Sequence, residues 1–517
     1  MAWGGRKYDA IVIGGSHNGL AAAAGLARAS QRVLLLEAGP QLGGTGVTAA
    51  VGPEYPEYNV PSVAHLLEAL PRRIERDLKL ARHGLRLAAR NIPTVMLDRD
   101  GRHLVLPRNR KDLAALAEVN RKDAAAWPDF DSRIGRAAAM LAPLLFDAAP
   151  RRTLLRRLVW RAEWHGPDSL GRLMQLLPQS VGDLLDAEFE LPLLKGALAL
   201  DAVLGTSDGP YAPGTAFRLL HRRAMRGLGR GPSIPLGGPG ALTDALAAAV
   251  AAQRGEIRTG TRVVRLLLEG NAVAGVETDD GNAIIAPLVV SALDPRTTMF
   301  DLLGTAHLET GFVRRLPPAR PQGNVGKLNL ALDGLPEFPG LAAALHGARL
   351  LLAPSLEAVE HAAVEAARGG IAGDPVMEIT MPGTVDPALC PAGHHVMSVL
   401  LPFTPYAVEG GWASRRDELM QRALRMLDQY APGLSGRLIA AELLTPPDIE
   451  TQFGASGGNW YRGSLAPAAI HEARAAGQAA PVAGLWLCGP GTHPGDGVTG
   501  LPGYALAETI AAERRRQ

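Results

Sequence analysis

The stretch AIVIGGSHNGLAAAAGLA, from Ala10 to Ala27, restricts the folds open to this chain more than any other. β-Branched Ile11, Val12 and Ile13 make Asp9 to Ile13 a short buried strand, which Gly14-Gly15 ends. From Asn18 to Ala29 almost every residue is Ala, Leu or Gly, a smooth helix able to lie close on a sheet. A second apolar strand, Val33 to Leu36, ends in Glu37, eighteen residues after Gly19. Dinucleotide-binding turns need glycine at the tight turn, at the approach of the pyrophosphate and where helix crosses strand. Gly14, Ser16 and Gly19 stand at these points. Serine is small, and its hydroxyl can donate to a phosphate oxygen. Such a turn also occurs in ordinary α/β cores; Glu37, at the distance where an acidic residue meets ribose hydroxyls, favours the nucleotide.

After Glu37 comes AGPQLGGTGVT, whose Gly43-Gly44 doublet permits a second close backbone approach. Nicotinamide sites seldom need one, whereas an extended flavin dinucleotide is gripped along its length, so FAD is the expected cofactor. From Gly237 a glycine turn leads into an Ala-rich helix, strands Arg262 to Leu268 and Ala272 to Thr278, and a buried strand Leu288 to Ser291. Turn residues between them make this a β-meander inserted in a nucleotide-binding domain. Near the C-terminus, strand Leu485 to Cys488 runs into a glycine-rich loop and a last helix. The helix N-terminus, near Thr499 to Pro502, can face a negatively charged ring or phosphate.

At 517 residues, 47% of them hydrophobic, the chain can bury a large core and favours two or more domains. Its 53 Lys and Arg nearly cancel 51 Asp and Glu, so the balance does not favour nucleic acid as a partner. Two cysteines, Cys390 and Cys488, exclude a disulfide scaffold and a four-cysteine metal site and fit a reducing compartment. MAWGGRK is too short for a signal peptide, and no apolar run reaches the roughly 18 to 20 residues of a membrane span. A cytoplasmic location is expected.

The chain resembles the flavin-dependent amine oxidase and phytoene desaturase superfamily. Within it, the nearest likeness is to the pyridine nucleotide-disulphide oxidoreductase domain-containing protein 2 group and to carotenoid desaturases and ketolases. The likeness rests on VIGGSHNGLAAAAGLA, DLKLARHGLRL, GKLNLALDGLPEFP, PPDIETQFGASGGNWYRGSL and LCGPGTHPGDGVTGLPGYAL, which span most of the chain. No Cys-x-x-x-x-Cys pair is present, so disulfide reduction is not implied. The resemblance implies an α/β fold: a Rossmann-like FAD-binding domain of the glutathione-reductase type with an inserted α+β substrate domain. It implies noncovalent FAD with ribose on Glu37, pyrophosphate at Gly14, Ser16 and Gly19 with Asn18 beside them, and Gly43 and Gly44 along the cofactor. The backbone of Val263 would meet adenine, and the loop carrying Gly489, Gly497, Val498 and Gly500 would meet the ribitol and the ring. Pro490 stands where many relatives carry an acidic residue, and Asp496 replaces a glycine.

The expected boundaries are FAD-binding segments 1–75, 232–305 and 470–517, with 76–231 and 306–469 forming the substrate domain. The redox step belongs to the flavin, so catalytic side chains remain unassigned, with Lys327, Asn459, Tyr461 and Arg462 as weak candidates. Lys327 shares one face of a strand with Asn329 and Ala331 and could hold a water or a substrate oxygen; solvent exposure is its simpler account. Asn459, Trp460, Tyr461 and Arg462 could close the substrate side of the flavin or form an ordinary surface turn. His493 near Cys488 suggests loop packing more than a metal, and His394 and His395 structural roles, so no metal is expected. The helical pattern Arg151 to Trp164 would suit a membrane surface, though a solvated helix is the plainer account. Arg218 to Gly231 reads as a linker that could also line an entrance for acidic substrates. The leading function is an FAD-dependent oxidoreductase taking hydride from a mostly apolar organic substrate, with oxygen, a quinone or another carrier as acceptor. The alternatives are a carotenoid or polyene desaturase, ketolase or isomerase, and a flavin-binding interaction protein without turnover.

Overall fold

All four residues of Ala10–Ile13 are buried, as a central strand covered on both faces requires. In the computed structural model, which describes residues 7–147, 151–166, 168–229, 231–313, 322–460, 480–493 and 497–515, this strand is the middle of a five-stranded parallel sheet. The order is Leu485–Leu487, Val289–Ser291, Ala10–Ile13, Val33–Leu36, Glu256–Arg258. Three distant parts of the chain therefore meet in one sheet. Alternate side chains feed opposite layers: Ala10, Val12, Val33 and Leu35 pack with the helices His17–Arg28, Gly240–Ala252 and Leu501–Arg514. Ile11, Ile13, Leu34 and Leu36 pack with the antiparallel meander Val263–Glu269, Ala272–Thr278 and Ala283–Ile285.

A second, mixed sheet of seven strands runs Leu438–Leu444, Val325–Leu332, His395–Pro402, Met377–Thr380, Arg349–Leu352, Thr94–Met96, Leu104–Val105. Its two faces differ in chemistry. Leu328, Leu330, Leu350, Leu352, Ile379, Met397 and Val399 form an apolar core under helix Trp412–Tyr430. The other face carries Lys327, Asn329, Arg349, Glu378 and Ser398, all fully buried, in cross-strand register Asn329 with Ser398 and Arg349 with Thr94. Polar groups withdrawn from water in this way have to satisfy one another.

Helices Arg121–Phe146, Val181–Glu188, Pro192–Val203 and Thr215–Leu228 share one apolar core with Leu351 and Met96 of that sheet. The segment expected to be a linker, Arg218 to Gly231, lies mostly in the last of these helices. Phe217, Leu219, Leu220, Ala224 and Met225 give it a buried apolar stripe, and Arg218, His221 and Arg222 are buried as well. Helix Arg151–His165 packs on Arg121–Phe146, with Leu158 half-buried against the shared core and Val159 and Trp160 exposed. No helix among the described residues is long and apolar enough to cross a membrane.

Candidate active site

The first turn is built as its sequence requires. Gly14 has φ +96°, and a Cβ on Gly19 would lie 1.9 Å from the Gly14 carbonyl oxygen, so only glycine lets the helix cross here. The Glu37 carboxylate accepts the Gly15 N–H at 2.6 Å and the Gly39 N–H at 2.7 Å. One lone pair on each of its oxygens remains open for further donors. Ser16 precedes helix His17–Arg28, and its buried hydroxyl has no hydrogen-bond partner among the described residues. Gly43 donates its N–H to the Gly15 carbonyl at 2.9 Å, which draws the second glycine loop against the first.

These groups border a cleft of about 590 Å³. Gly14, Ser16, Glu37, Gly44 and Thr45 line it on one side, and Asn459 and Trp460 on the other. Pro490 and Arg262 also line it. Val263, beside Arg262, is buried in the core below the meander. Gly489 presses so closely on the chain that a Cβ would meet the Leu293 carbonyl oxygen at 1.9 Å. Gly19, Gly43 and Asn18 shape the wall from behind, Asn18 being fully buried with both side-chain amide atoms unpartnered among the described residues. Gly500, with φ +68°, precedes the last helix, Leu501–Arg514. Tyr461, Arg462 and Asp496 lie outside the described residues.

Thr45 and Trp460 also border a smaller enclosed cavity of about 40 Å³. Gly497 and Val498 close it on the nucleotide-fold side, while His65, Leu66, Ala202, Leu204, Met225 and Leu400 give it mainly apolar walls. Glu68, Asp201, Arg218 and Arg222 add charge to its far end.

Behind that end lies a buried ionic cluster that the linear sequence did not reveal. Arg349 bonds to Asp201 at 2.6 Å and to Glu378 at 2.5 Å; Arg222 reaches Glu68 at 2.5 Å, and Arg226 reaches Asp201 at 3.0 Å and Glu68 at 3.3 Å. Three guanidiniums thus balance three carboxylates. Burial pushes the Asp201 carboxyl up, but Arg226, Arg349 and Arg222 outweigh it and hold the group well below the usual carboxylate range. Glu378 is likewise held low, burial being overcome by Arg349, the hydrogen bond from His65 and Arg222.

His65 joins this cluster to Lys327. Its Nε2 donates to Glu378 at 3.0 Å, which leaves Nδ1 to accept from the Ser398 and Thr380 hydroxyls, each at 3.4 Å. Burial first, then the charge of Lys327, pull the imidazole down to about 4. Lys327 donates to Ser398. The expectation of an exposed lysine is wrong: the register of the sheet points Lys327 to the polar inner face, where burial lowers its pKa far below the ordinary value. The charges Arg349 in GARLLLAP and Glu378 in VMEITM, each alone in an apolar strand, were the available signal.

His394 stacks on Tyr58 and exchanges a hydrogen bond with it at 2.5 Å, and His395 opens a strand. Cys488 and His493 are buried, and among the described residues no cluster of three His, Cys, Asp or Glu could hold a metal.

Residues 19–501 match the family described as flavin containing amine oxidoreductase. The chain is 33% identical to mouse pyridine nucleotide-disulfide oxidoreductase domain-containing protein 2, over 98% of this chain and 93% of that one. It is 25% identical to a lycopene-forming phytoene desaturase from Pseudescherichia vulneris, over 96% and 97% of the two chains. The fold is shared with cyclohexylamine oxidase from Brevibacterium oxydans IH-35A, at TM-score 0.61 and 15% identity over 99% of this chain and 100% of that one. A parallel strand–turn–helix core with a glycine-bordered cleft, together with a family match over nearly the whole length, places this oxidoreductase in the flavin-containing amine oxidoreductase family.

Proposed function

We propose that the chain binds FAD noncovalently in the 590 Å³ cleft and oxidises a mostly apolar organic substrate at the side of the cleft where Thr45 and Trp460 border the apolar cavity, whose 40 Å³ alone admits only a few waters. The observation that carries this reading is the pairing of the two cavities through Thr45 and Trp460. One cavity has glycine backbone and an acidic tip; the other has apolar walls.

The cleft suits the cofactor in detail. The buried Ser16 hydroxyl, without a protein acceptor, is available to donate to a phosphate oxygen, and the open lone pairs of Glu37 suit ribose hydroxyls. Gly14, Gly19, Gly43, Gly44 and Asn18 form the cradle, with Val263, Gly489, Gly497, Val498 and Gly500 completing the set. Segments 1–75, 232–305 and 470–517 then form the cofactor domain, and 76–231 and 306–469 the substrate domain. Bound flavin supplies the redox chemistry by accepting hydride at N5. Removal of hydride from a C–H bond raises the acidity of its neighbours, and a proton has to be taken up. His65 lines the cavity with its ring fixed on both sides, Nε2 by Glu378 and Nδ1 by Ser398, which Lys327 holds in turn, so it positions the wall and leaves that proton to other groups. Asn459 lies at the cleft and positions what binds there. Oxygen, a quinone or another carrier takes the electrons on.

The visible absorption spectrum of the purified protein, with chromatography of the released cofactor, tests the assignment. Bands near the flavin maxima and release of intact FAD by mild denaturation are expected. A colourless protein that takes up no added FAD would overturn it.

A further inference from the structure

The wall of the enclosed cavity holds one charged side chain that the ionic cluster does not absorb. Arg218, Arg222 and Met225 of helix Thr215–Leu228 all border the cavity, at the i, i+4 and i+7 positions of a single stripe. Arg222 belongs to the cluster through Glu68 and Asp201. Arg218 stands apart from it. Although only 3% exposed, it pairs outward: Nη2 donates at 2.5 Å to Asp208, whose side chain is 47% exposed. Its Nε and Nη1, both buried, have no hydrogen-bond partner among the described residues. A charged donor buried without an acceptor is costly, and native proteins keep few of them, so these N–H groups call for an acceptor that a ligand brings.

The charge of that acceptor follows from the balance around it. Arg218, Arg222, Arg226 and Arg349 meet Asp208, Glu68, Asp201 and Glu378, so guanidiniums and carboxylates are equal in number. Burial holds His65 and Lys327 toward their neutral forms. A carboxylate entering here would bring an uncompensated buried charge, whereas a hydrocarbon would leave the donors of Arg218 unpaired. We propose that Arg218 receives a neutral carbonyl oxygen of the substrate, which makes the substrate class an apolar carbonyl compound. The size of the cavity agrees: at roughly 10–15 Å³ for each water-sized group, its 40 Å³ holds about three, the carbonyl and its nearest carbons. Leu204, Met225 and Leu400 wall that end, and the rest of the molecule extends past Thr45 and Trp460 into the cleft. The assignment rests on the proposed oxidation of an apolar substrate at that border; Arg218 determines which substrate is held and leaves the redox step to the flavin.

The test uses the full-length protein as purified and three ligands of one chain length: 2-octanone, its isostere 2-methyl-1-octene and octanoate. Headspace depletion gives the affinities of the two neutral ligands and calorimetry that of octanoate. The ketone should bind roughly tenfold more tightly than the alkene, as one hydrogen bond from a charged donor implies, and octanoate least of all. The infrared carbonyl stretch of bound 2-octanone should move to lower frequency. Arg218→Met keeps the apolar stem and removes the donors, so it should cancel both the preference and the infrared shift. Its melting temperature should hold, because two unpaired donors leave together with the pairing to a half-exposed carboxylate. Asp208→Asn leaves the guanidinium in place without its counter-charge and should raise the affinity for octanoate while that for 2-octanone changes little. Equal affinity for ketone and alkene in the parent protein, which donors satisfied by ordered water would give, would overturn the proposal. So would a preference that survives Arg218→Met, or octanoate as the tightest ligand, which would assign Arg218 to an anion. Flavin absorbance read on the same samples keeps the readings apart: a colourless protein with an Arg218-dependent ketone preference loses the cofactor reading alone, and a yellow one without it loses this one alone.

Discussion

At the level of single residues, Glu37 and Ser16 do unlike work in one turn. Glu37 ties Gly15 to Gly39 through its two carboxylate oxygens, so it both shapes the wall and offers the acceptor. Glu37→Ala removes two hydrogen bonds to a charged group, each worth about 1.5–3 kcal/mol, and the ribose acceptor with them. Flavin retained through gel filtration should drop at least tenfold; unchanged content would refute the assignment of the ribose. Ser16 contributes a small side chain with a buried, unpartnered hydroxyl. Ser16→Gly should therefore leave retention almost unaltered and Ser16→Val should expel the cofactor, and equal behaviour of the two would show that phosphate does not approach here. Both residues were legible in the sequence because their roles are local, fixed by spacing from Gly14 and Gly19.

At the level of elements, the last helix comes closest to its neighbour at one glycine. Leu501–Arg514 crosses His17–Arg28 at Gly503, where a Cβ would lie 1.8 Å from the Asn18 carbonyl oxygen and 2.8 Å from the Ala22 nitrogen. Backbone cannot yield as a flexible side chain does, so Gly503→Ala should push the helices apart at a cost of roughly 1–3 kcal/mol. Gly497 and Val498, which precede that helix and wall the enclosed cavity, would move with it. A lowered melting temperature and weaker flavin retention are expected together. Gly171→Ala serves as the control: helix Ser169–Leu176 leaves open space there, and the change should stabilise by about 0.5–1 kcal/mol. Strands and helices of this first unit were readable because hydrophobic runs and glycine breaks mark them. The helix Thr215–Leu228 was misread as a linker from its run of basic residues, whereas Arg218 and Arg222 are themselves buried and pair with Asp208 and with the buried Glu68.

At the level of the whole molecule, the buried ionic cluster draws on residues from Glu68 to Glu378, on helices and on two strands of the mixed sheet. Only the tertiary fold brings those groups together, so no spacing in the sequence announces them; isolated charges in apolar strands were the one trace. The same assembly sets how the protein responds to acid. His65 is neutral in the folded state with a pKa of about 4, against 6.5 when unfolded. Between those values the unfolded chain binds a proton that the native protein refuses, so stability is lost as pH falls from 6.5 toward 4, on the order of 3 kcal/mol in all. Asp201 and Glu378 act lower: their native pKa values lie below the unfolded ones, so their contribution is intact above about pH 4 and is lost as pH drops further. Urea midpoints should therefore hold steady from pH 8 to 7, decline below 6.5 and fall more steeply under pH 4. His65→Gln keeps a donor for Glu378 and an acceptor for Ser398 but does not titrate. That variant should lose the decline between pH 6.5 and 4 while keeping the steep fall below it. Parallel curves for the variant and the parent protein would mean that His65 titrates alike folded and unfolded, and that the acid response belongs to the carboxylates alone.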